Sequence, residues 1–565
     1  MKKHLFLFAI SVFILFFVNK VQAQKFRTTW KSTDTKITIP TNDELIYNYS
    51  ITWQNLTNKG IGDGSAQEVK GNYTIKNLED SSIYEIAIEG HFPHFYMNKD
   101  SIESSKLQTI EEWGEIKWKS MEHAFDSCIN LTYKATDIPK LIEVKDMSYM
   151  FSFCKIFDGN STMNEWNTSN VTDMSYMFYY ADFNQPIGEW NTSNITNMSY
   201  MFWAAFSFNQ SIENWNTSNV TNMSGMFRAA FSFNQSIGKW NTKNATNMNR
   251  MFFGADNFNQ PIGEWNTQNV TNMNGMFFGA DNFNQPIGEW NTQNVTNMSG
   301  MFANAKSFNQ PIGEWNTEKV TNMNYIFYEA KSFNQPIGEW NTQNVTNMSG
   351  MFDSAELFNQ PIGEWNTQNV TNISYMFSEA TSFNQPIGKW NVENVTTMQK
   401  MFVTAKSFNQ PLEKWNTKNV TNMKAMFAEA ASFNQPLEKW NTKNVTNMKA
   451  MFAEAASFNQ PLEKWNTKNV IDISIMFGGA KSFSQSITKW NIANIIDMTE
   501  LFNGANLSTE NYDATLIAWS KNKKIPENIK LNAEGLKYCK SKEARQKLID
   551  EYGWTIEDDE LSCED

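Results

Sequence analysis

Histidine and cysteine are almost missing from this chain, with four of each in 565 residues. So few histidines leave little material for acid–base or metal chemistry. No Ser-His-Asp set, glycine-rich phosphate loop or recurrent Asp-x-Asp calcium pattern stands out either. His91 and His94 flank Phe92-Pro93 with no cysteine near them, so the pair is read as structural. No catalytic residue, metal or cofactor is expected. Four cysteines are too few to shape a protein of this length, so disulfides do not define the fold. Charge is sparse as well, at 19% of residues, with a net value of −12. There is no basic patch, which removes nucleic acid from the expected partners. The acidity is densest in Glu557-Asp558-Asp559-Glu560, read as a solvated end.

Long apolar runs are limited to one. Lys2-Lys3 precede a stretch from Leu5 to Val18, and Val21-Gln22-Ala23 supplies small residues at a cleavage site. This is the pattern of a secretory signal peptide over residues 1–23, cut after Ala23. No cysteine follows the run, so a lipid anchor is not indicated. No second run is long enough to span a bilayer, and no transmembrane segment is expected after cleavage. The expected address is secreted or cell surface.

What the chain has in excess is tryptophan at a fixed interval. Trp166, Trp190, Trp215, Trp240, Trp265 and nine further copies to Trp490 are separated by 24 residues once and by 25 thereafter. A period of this size means one supersecondary unit stacked on its neighbours. One unit runs from Trp265 to Glu289. Met273, Met276, Phe277 and Ala280 fall at i, i+3, i+4 and i+7, the face of a short helix. Thr271 or Asn272 can cap it. The stretch from Phe283 to Trp290 reads as extended, with a strand at Ile287 to Glu289 or Trp290. A proline column (Pro261, Pro286 and later copies) marks the corner before that strand, because a mid-ladder proline would delete a donor in every unit.

Five regions are expected. They are the signal peptide 1–23, a small β-sandwich over 24–100, degenerate terminal repeats over 101–165, the regular array over 166–507, and a helical cap with acidic tail over 508–565. Strands are placed at 36–39, 45–53, 73–75 and 84–88. Helices are placed at 512–519 and 541–552, the second with Ser541 as N-cap and Gly553 as C-cap.

The repeated core is assigned to Trp265, Val270, Met273, Met276, Phe277, Ala280, Phe283 and Asn284. For the tryptophan column the alternative is a platform for sugar rings. For the asparagines of the Phe-Asn-Gln corner it is a ligand site in place of a hydrogen-bonded ladder. Cys128 and Cys154 each lie seven residues after a methionine, as Ala280 does. They therefore occupy one buried position in successive units, as a disulfide or as two free thiols. Cys539 and Cys563 lie in the cap, where a bridge would hold the tail. Residues that vary between units are expected to face solvent and to be where a partner reads the array. These are the pairs before each Trp (Gly263-Glu264, Glu413-Lys414) and the pair after the first Met (Ser-Tyr, Asn-Gly, Lys-Ala). Asn416–Trp440 and Asn441–Trp465 are identical, the mark of tandem duplication.

The motif Trp-Asn-Thr-x-Asn-Val-Thr-Asn-Met-x-x-Met-Phe-x-x-Ala-x-x-Phe-Asn-Gln resembles the BspA-like leucine-rich-repeat surface proteins of bacteria, with the 25-residue repeat of Bacteroidetes proteins and mycoplasma lipoproteins. Phe26-Arg27-Thr28-Thr29-Trp30, Ile37-Thr38-Ile39-Pro40 and Trp113-Gly114-Glu115-Ile116-Lys117-Trp118 resemble the leader of that family. The resemblance implies an α/β solenoid of leucine-rich-repeat-like type, with a short strand plus a short helix per 25-residue coil. It also implies a preceding small all-β sandwich of the polycystic-kidney-disease or immunoglobulin-like kind. It implies an exported binding or adhesion scaffold, not an enzyme, whose partner is an unknown protein or glycan at a cell surface. Competing readings are a carbohydrate-binding accessory to polysaccharide degradation and a structural surface layer.

Overall fold

Phe26, Thr28 and Trp30 point inward from β1 (Phe26–Lys31), the period-2 pattern of a strand with one face on a core. The computed structural model that places them describes residues 24–97 and 102–563. The expected signal peptide, residues 1–23, lies outside the described residues. β1 sits between β6 (Ile83–His91) and β7 (Leu107–Glu112), antiparallel to both. Beyond β6 come β3 (Asn48–Asn55) and β4 (Gly64–Val69), while β8 (Thr132–Tyr133) joins β7 in parallel. A separate antiparallel pair is formed by β2 (Lys36–Ile39) and β5 (Tyr73–Lys76). Ile37, Ile39 and Ile75 share one buried cluster with Trp30, Tyr49 and Ile86. The large sheet continues past residue 100, since β7 and β8 belong to the segment read as degenerate repeats.

Within 166–507 the expected helix does not form. Met273 to Ala280 is a chain of overlapping β-turns. Met276, Phe278 and Ala280 each donate their N–H three residues back, to Met273, Gly275 and Phe277. The alternate residues Met273, Gly275, Phe277 and Gly279 donate to Asn297, Ser299, Met301 and Ala303 in the next unit. Gly275 and Gly279 have φ of 57° and 66°, the left-handed conformation that a third turn residue takes and an α-helix does not. The i, i+3, i+4, i+7 apolar pattern is common to both structures, because turns recurring every four residues bury the same set. Met273, Met276, Phe277 and Ala280 are all fully buried.

The expected strand at Ile287 to Trp290 is also absent. Trp290 N–H returns to Ile287 C=O at 3.2 Å, closing a turn there. Strand-like pairing is instead a single-residue parallel bridge per unit, from Asp146–Asp173 through Asn272–Asn297 to Asp472–Asp497. It sits just before each turn ribbon. A strand-plus-helix coil is thus replaced by a coil of turns, tied unit to unit by its main chain.

Four side-chain ladders complete the skeleton. Trp265 is 3% exposed and lies parallel to Trp290, ring centroids 6.3 Å apart. From Trp190 onward each indole N–H donates to a carbonyl of the preceding unit, as Trp290 does to Ile262 at 3.0 Å. Phe277 stacks on Phe283 at 3.9 Å and on Phe302 at 5.7 Å. The Asn284 side-chain oxygen accepts from Asn309 N–H and Gln310 Nε2, both at 3.0 Å. The Thr292 hydroxyl donates to Asn316 C=O at 2.9 Å, and Val270 fills the gap between ladders with no exposure. These side chains are consumed in holding the units together. A buried amide or indole without such a partner would cost roughly 1–3 kcal/mol.

The last unit is followed by α1 (Thr509–Trp519), whose N-cap Ser508 accepts from Asn511 N–H. Then come β9 (Lys530–Ala533), α2 (Lys542–Tyr552) and β10 (Thr555–Asp558), with β9 and β10 parallel. Gly553 ends α2 in the left-handed conformation. Ser541 does not cap α2 through its side chain. Its hydroxyl donates to Asp513, which also accepts the N–H groups of Cys539, Lys540 and Ser541. Cys539 and Cys563 are joined by a disulfide. Cys128 and Cys154 are buried free thiols. The pairing considered for them is not made, because Cys154 Sγ turns to the Phe125 carbonyl at 3.0 Å.

Candidate functional site

With the skeleton residues occupied, only the outward positions of each unit are free to carry chemistry. Counting the first methionine of a turn ribbon as position 1, positions 3, 6, 7 and 9 lie on the outer side of the coil, as Tyr200, Phe278, Gly279 and Asp281 do. Positions 3 and 7 are left-handed throughout the described units. Glycine suits them, and Gly225, Gly275, Gly300 and Gly350 occupy position 3 without harm to the coil. A non-glycine residue there costs roughly 1–2 kcal/mol.

The early units accept that cost with large rings. Position 3 holds His123, Tyr149, Tyr176 and Tyr200, each ring lying on the next at 4.5, 4.5 and 4.8 Å with interplanar angles of 8°, 5° and 18°. The Tyr200 ring covers Gly225. Position 6 holds a second ladder, with Tyr179 on Trp203 at 4.2 Å, Arg228 between Trp203 (4.6 Å) and Phe253 (4.9 Å), and Phe253 on Phe278 at 4.4 Å. A third runs from Tyr180 to Phe206 at 5.5 Å and on to Phe231 at 5.1 Å. Tyr180, Phe206 and Phe231 are 39, 40 and 42% exposed. Contiguous surface aromatic side chains make this the candidate face.

The electrostatics suit largely uncharged recognition beside a few cations, Lys155, Arg228 and Arg250. Burial, then the neighbouring Tyr149 and Tyr200 rings, push the Tyr176 hydroxyl up to about 12. Burial lowers the Arg228 guanidinium, and Arg250 adds to this. Tyr176 therefore presents a neutral hydroxyl among flat apolar rings, and Arg228 presents a stacked charge.

The sequence reading put the variable pair after the first methionine at the surface, and position 3 belongs to that pair. It did not single out Tyr176, Tyr179, Tyr180, Tyr200, Trp203, Phe206 or Arg228. The available signal was aromatic residues crowding those variable positions between Tyr149 and Phe278, with Tyr325, Tyr328 and Tyr375 the later instances. The tryptophan column, weighed as a sugar platform, lies inside the coil. His94 is buried with Nε2 at 2.7 Å from the Glu122 carbonyl, and His91 ends β6, exposed.

No curated protein matches the chain. Among described residues, no helix is long and apolar enough to cross a membrane. One family matches in five overlapping stretches, residues 119–239, 181–270, 221–339, 331–435 and 405–515. Together they run without a gap over more than two thirds of the chain. The stretch at 119–239 takes in the first aromatic units, so the ribbon and its aromatic variants lie inside the matched repeats. The chain is a tandem-repeat protein that belongs to the family described as Mycoplasma protein of unknown function, DUF285.

Proposed function

We propose that this is an exported surface protein whose units form an elongated solenoid of the leucine-rich-repeat-like class, and that its aromatic ribbon face binds glycans. The observation that carries the reading is the set of three surface aromatic ladders, two half-buried and one exposed, set partly in left-handed positions. Rings flanked by tyrosine hydroxyls offer flat apolar faces to sugar C–H groups and polar edges to sugar hydroxyls. Export rests on the signal-like segment ending at Ala23. The polar repeat residues are used in the ladders, so no catalytic role is assigned to them. A second reading, adhesion to a protein, is favoured by composition, since Trp203, Arg228 and the tyrosines are the residue types that dominate protein interfaces.

The test is a glycan array and a matrix-protein array, each probed with the chain from Gln24 and with a triple variant, Tyr200→Gly, Trp203→Ala and Phe206→Ala. Glycan binding that falls at least about tenfold in the variant, at unchanged circular dichroism, is expected from losing several stacks of ~1 kcal/mol each. Binding confined to the protein array selects the second reading. Equal binding by the two proteins removes both.

A further inference from the structure

A second surface is independent of the aromatic face. The turn after each proline column residue (Pro-Ile-Gly-Glu-Trp) leaves a groove of about 780 Å³ that runs along the array from Gly288 to Lys414. Its floor is proline and glycine. The glycines are required there by close approach, since a Cβ on Gly288 or Gly313 would lie 2.7 or 2.6 Å from the proline carbonyl of the next unit. With no side chain at these positions the floor stays bare. The groove ends where glycine gives way to Glu413.

Along one edge stand Glu289, Glu314 and Glu339, all exposed. Among the described residues none of the three forms an ion pair. Elsewhere in the array, glutamates one residue earlier in this corner are neutralised by a lysine of the following unit, whereas Glu189 and Glu264, which adjoin their tryptophans as these three do, form no ion pair among the described residues. Glu213 takes Lys239, Glu413 takes Lys439, Glu438 takes Lys464 and Glu463 takes Lys489, at 3.0 to 3.1 Å. The bare column stops at Glu364, which pairs with Lys389. Only the first three units of the groove leave the corner open, while its last units close it with Lys389 and Lys439.

We propose that this groove is a binding site for an extended polypeptide segment carrying lysine or arginine at alternate positions. Spacing and charge both point to that occupant. The tryptophans that adjoin the three glutamates repeat every 6.4 Å, and alternate residues of an extended chain lie about 6.6–6.8 Å apart. Five such steps make the groove roughly 32 Å long, room for about ten extended residues. An extended chain laid along the floor keeps step with the units, with every second residue beside a carboxylate. The proline rings give the methylene stems of lysine an apolar track, with the ammonium groups reaching the carboxylates.

The probe is a fluorescein-labelled decapeptide (Lys-Thr)5, titrated by anisotropy into the chain from Gln24 at low salt. Controls are a peptide with five lysines followed by five threonines, a chitosan oligomer, and the E289Q/E314Q/E339Q variant. The alternating peptide is expected to bind at least tenfold more tightly than the block peptide. That advantage should disappear in the triple variant and shrink steeply with salt, as exposed ion pairs require. The aromatic-face triple variant should bind the peptide like the parent, so failure of the glycan reading and failure of this one are separable. Equal binding of block and alternating peptides means nonspecific attraction to an acidic protein and overturns the proposal. So does a triple variant that binds unchanged, or chitosan binding without peptide binding.

Discussion

The aromatic units between Met121 and Phe278 and the duplicated units between Asn416 and Trp465 share one skeleton and differ in what they show to solvent. Trp190–Trp215 are 6.3 Å apart and Trp415–Trp440 are 6.2 Å apart. Phe202–Phe227 and Phe427–Phe452 are both at 5.7 Å. The asparagine ladder measures 3.0 Å from Asn234 N–H to Asn209 and from Asn459 N–H to Asn434. Outside, Tyr200, Trp203 and Phe206 in one region correspond to Ala425, Ala428 and Ala431 in the other. Ala425 and Ala428 pack in a small aliphatic cluster with Val403 and Ile475. The difference teaches that the repeat separates its tasks by position. Ladder positions specify the coil, and positions 3, 6, 7 and 9 are free to vary.

The largest expected effect would break the equivalence of units itself. Removing Asn441–Trp465, one whole copy, keeps every ladder in register and is expected to leave a shorter protein with one cooperative melt. Removing only Asn441–Phe452 sets polar residues against the tryptophan and phenylalanine columns and strands ladder donors at ~1–3 kcal/mol each. That variant is expected to unfold or to melt in two steps. Circular dichroism melts decide it, and equal tolerance of both deletions would remove the stacked-unit account.

A smaller effect tests skeleton against face at adjacent residues. Phe202 is fully buried and Trp203 points outward. Phe202→Ala is expected to cost about 3–5 kcal/mol. Trp203→Ala loses a stack on Tyr179 and the contact with Arg228, together about 1–2 kcal/mol. Urea denaturation of the two variants checks the split. Similar losses would mean that the outer ladders are part of the skeleton.

Much of this was legible in the sequence because the ladders are periodic. Trp265, Phe277, Phe283 and Asn284 recur at 25 residues, and a residue required in every unit is one the stack needs. The local conformation was misread for an equally physical reason. An apolar stripe at i, i+3, i+4 and i+7 reports which residues are buried and not which hydrogen bonds bury them. Gly275, Gly279, Gly300 and Gly350 in the supposed helix were the contrary signal, since glycine is poor in a helix and favoured in left-handed turns. The aromatic face was half legible. Its positions stood out as variable, but that Tyr149, Tyr176 and Tyr200 form one stack follows only once position 3 is known to repeat on the same side.

Between the two regions lies an acidic stretch of the same face, and pH sharpens the comparison there. Burial raises the Asp353 carboxyl to about 6, with Glu379 and Glu329 adding to the shift and the Ser378 and Ser354 hydroxyls opposing it. An acid whose folded value is raised binds its proton more tightly when folded. Its stabilising contribution is complete below the unfolded value near 3.8 and is lost as pH rises through about 6. Asp353→Asn is therefore expected to remove a stability gain of at most about 3 kcal/mol between pH 7 and pH 4. Urea midpoints of parent and variant across that range measure it, and parallel profiles would show that Asp353 titrates normally.

The smallest effect bears on the backbone that makes both regions possible. Glu454 lies at position 7 of a duplicated unit, exposed, with φ of 54°. In a helix, Glu454→Gly would cost close to 1 kcal/mol. In the left-handed turn it relieves roughly 1–2 kcal/mol, less about 0.4–1 kcal/mol for the looser unfolded chain, so a net gain of about 0.5–1 kcal/mol is expected. Tyr200→Gly relieves the same strain at position 3 but gives up the stack on Tyr176 at 4.8 Å and the contact with Trp203 at 5.4 Å. Those are worth about 0.5–1.5 kcal/mol each, so the change is expected to be neutral or slightly destabilising. The sign of the Glu454 change in urea separates the two backbones directly. A loss there would restore the helix, while a gain there with none at Tyr200 places the cost of the aromatic face in the left-handed backbone and its return in the ladder built on it.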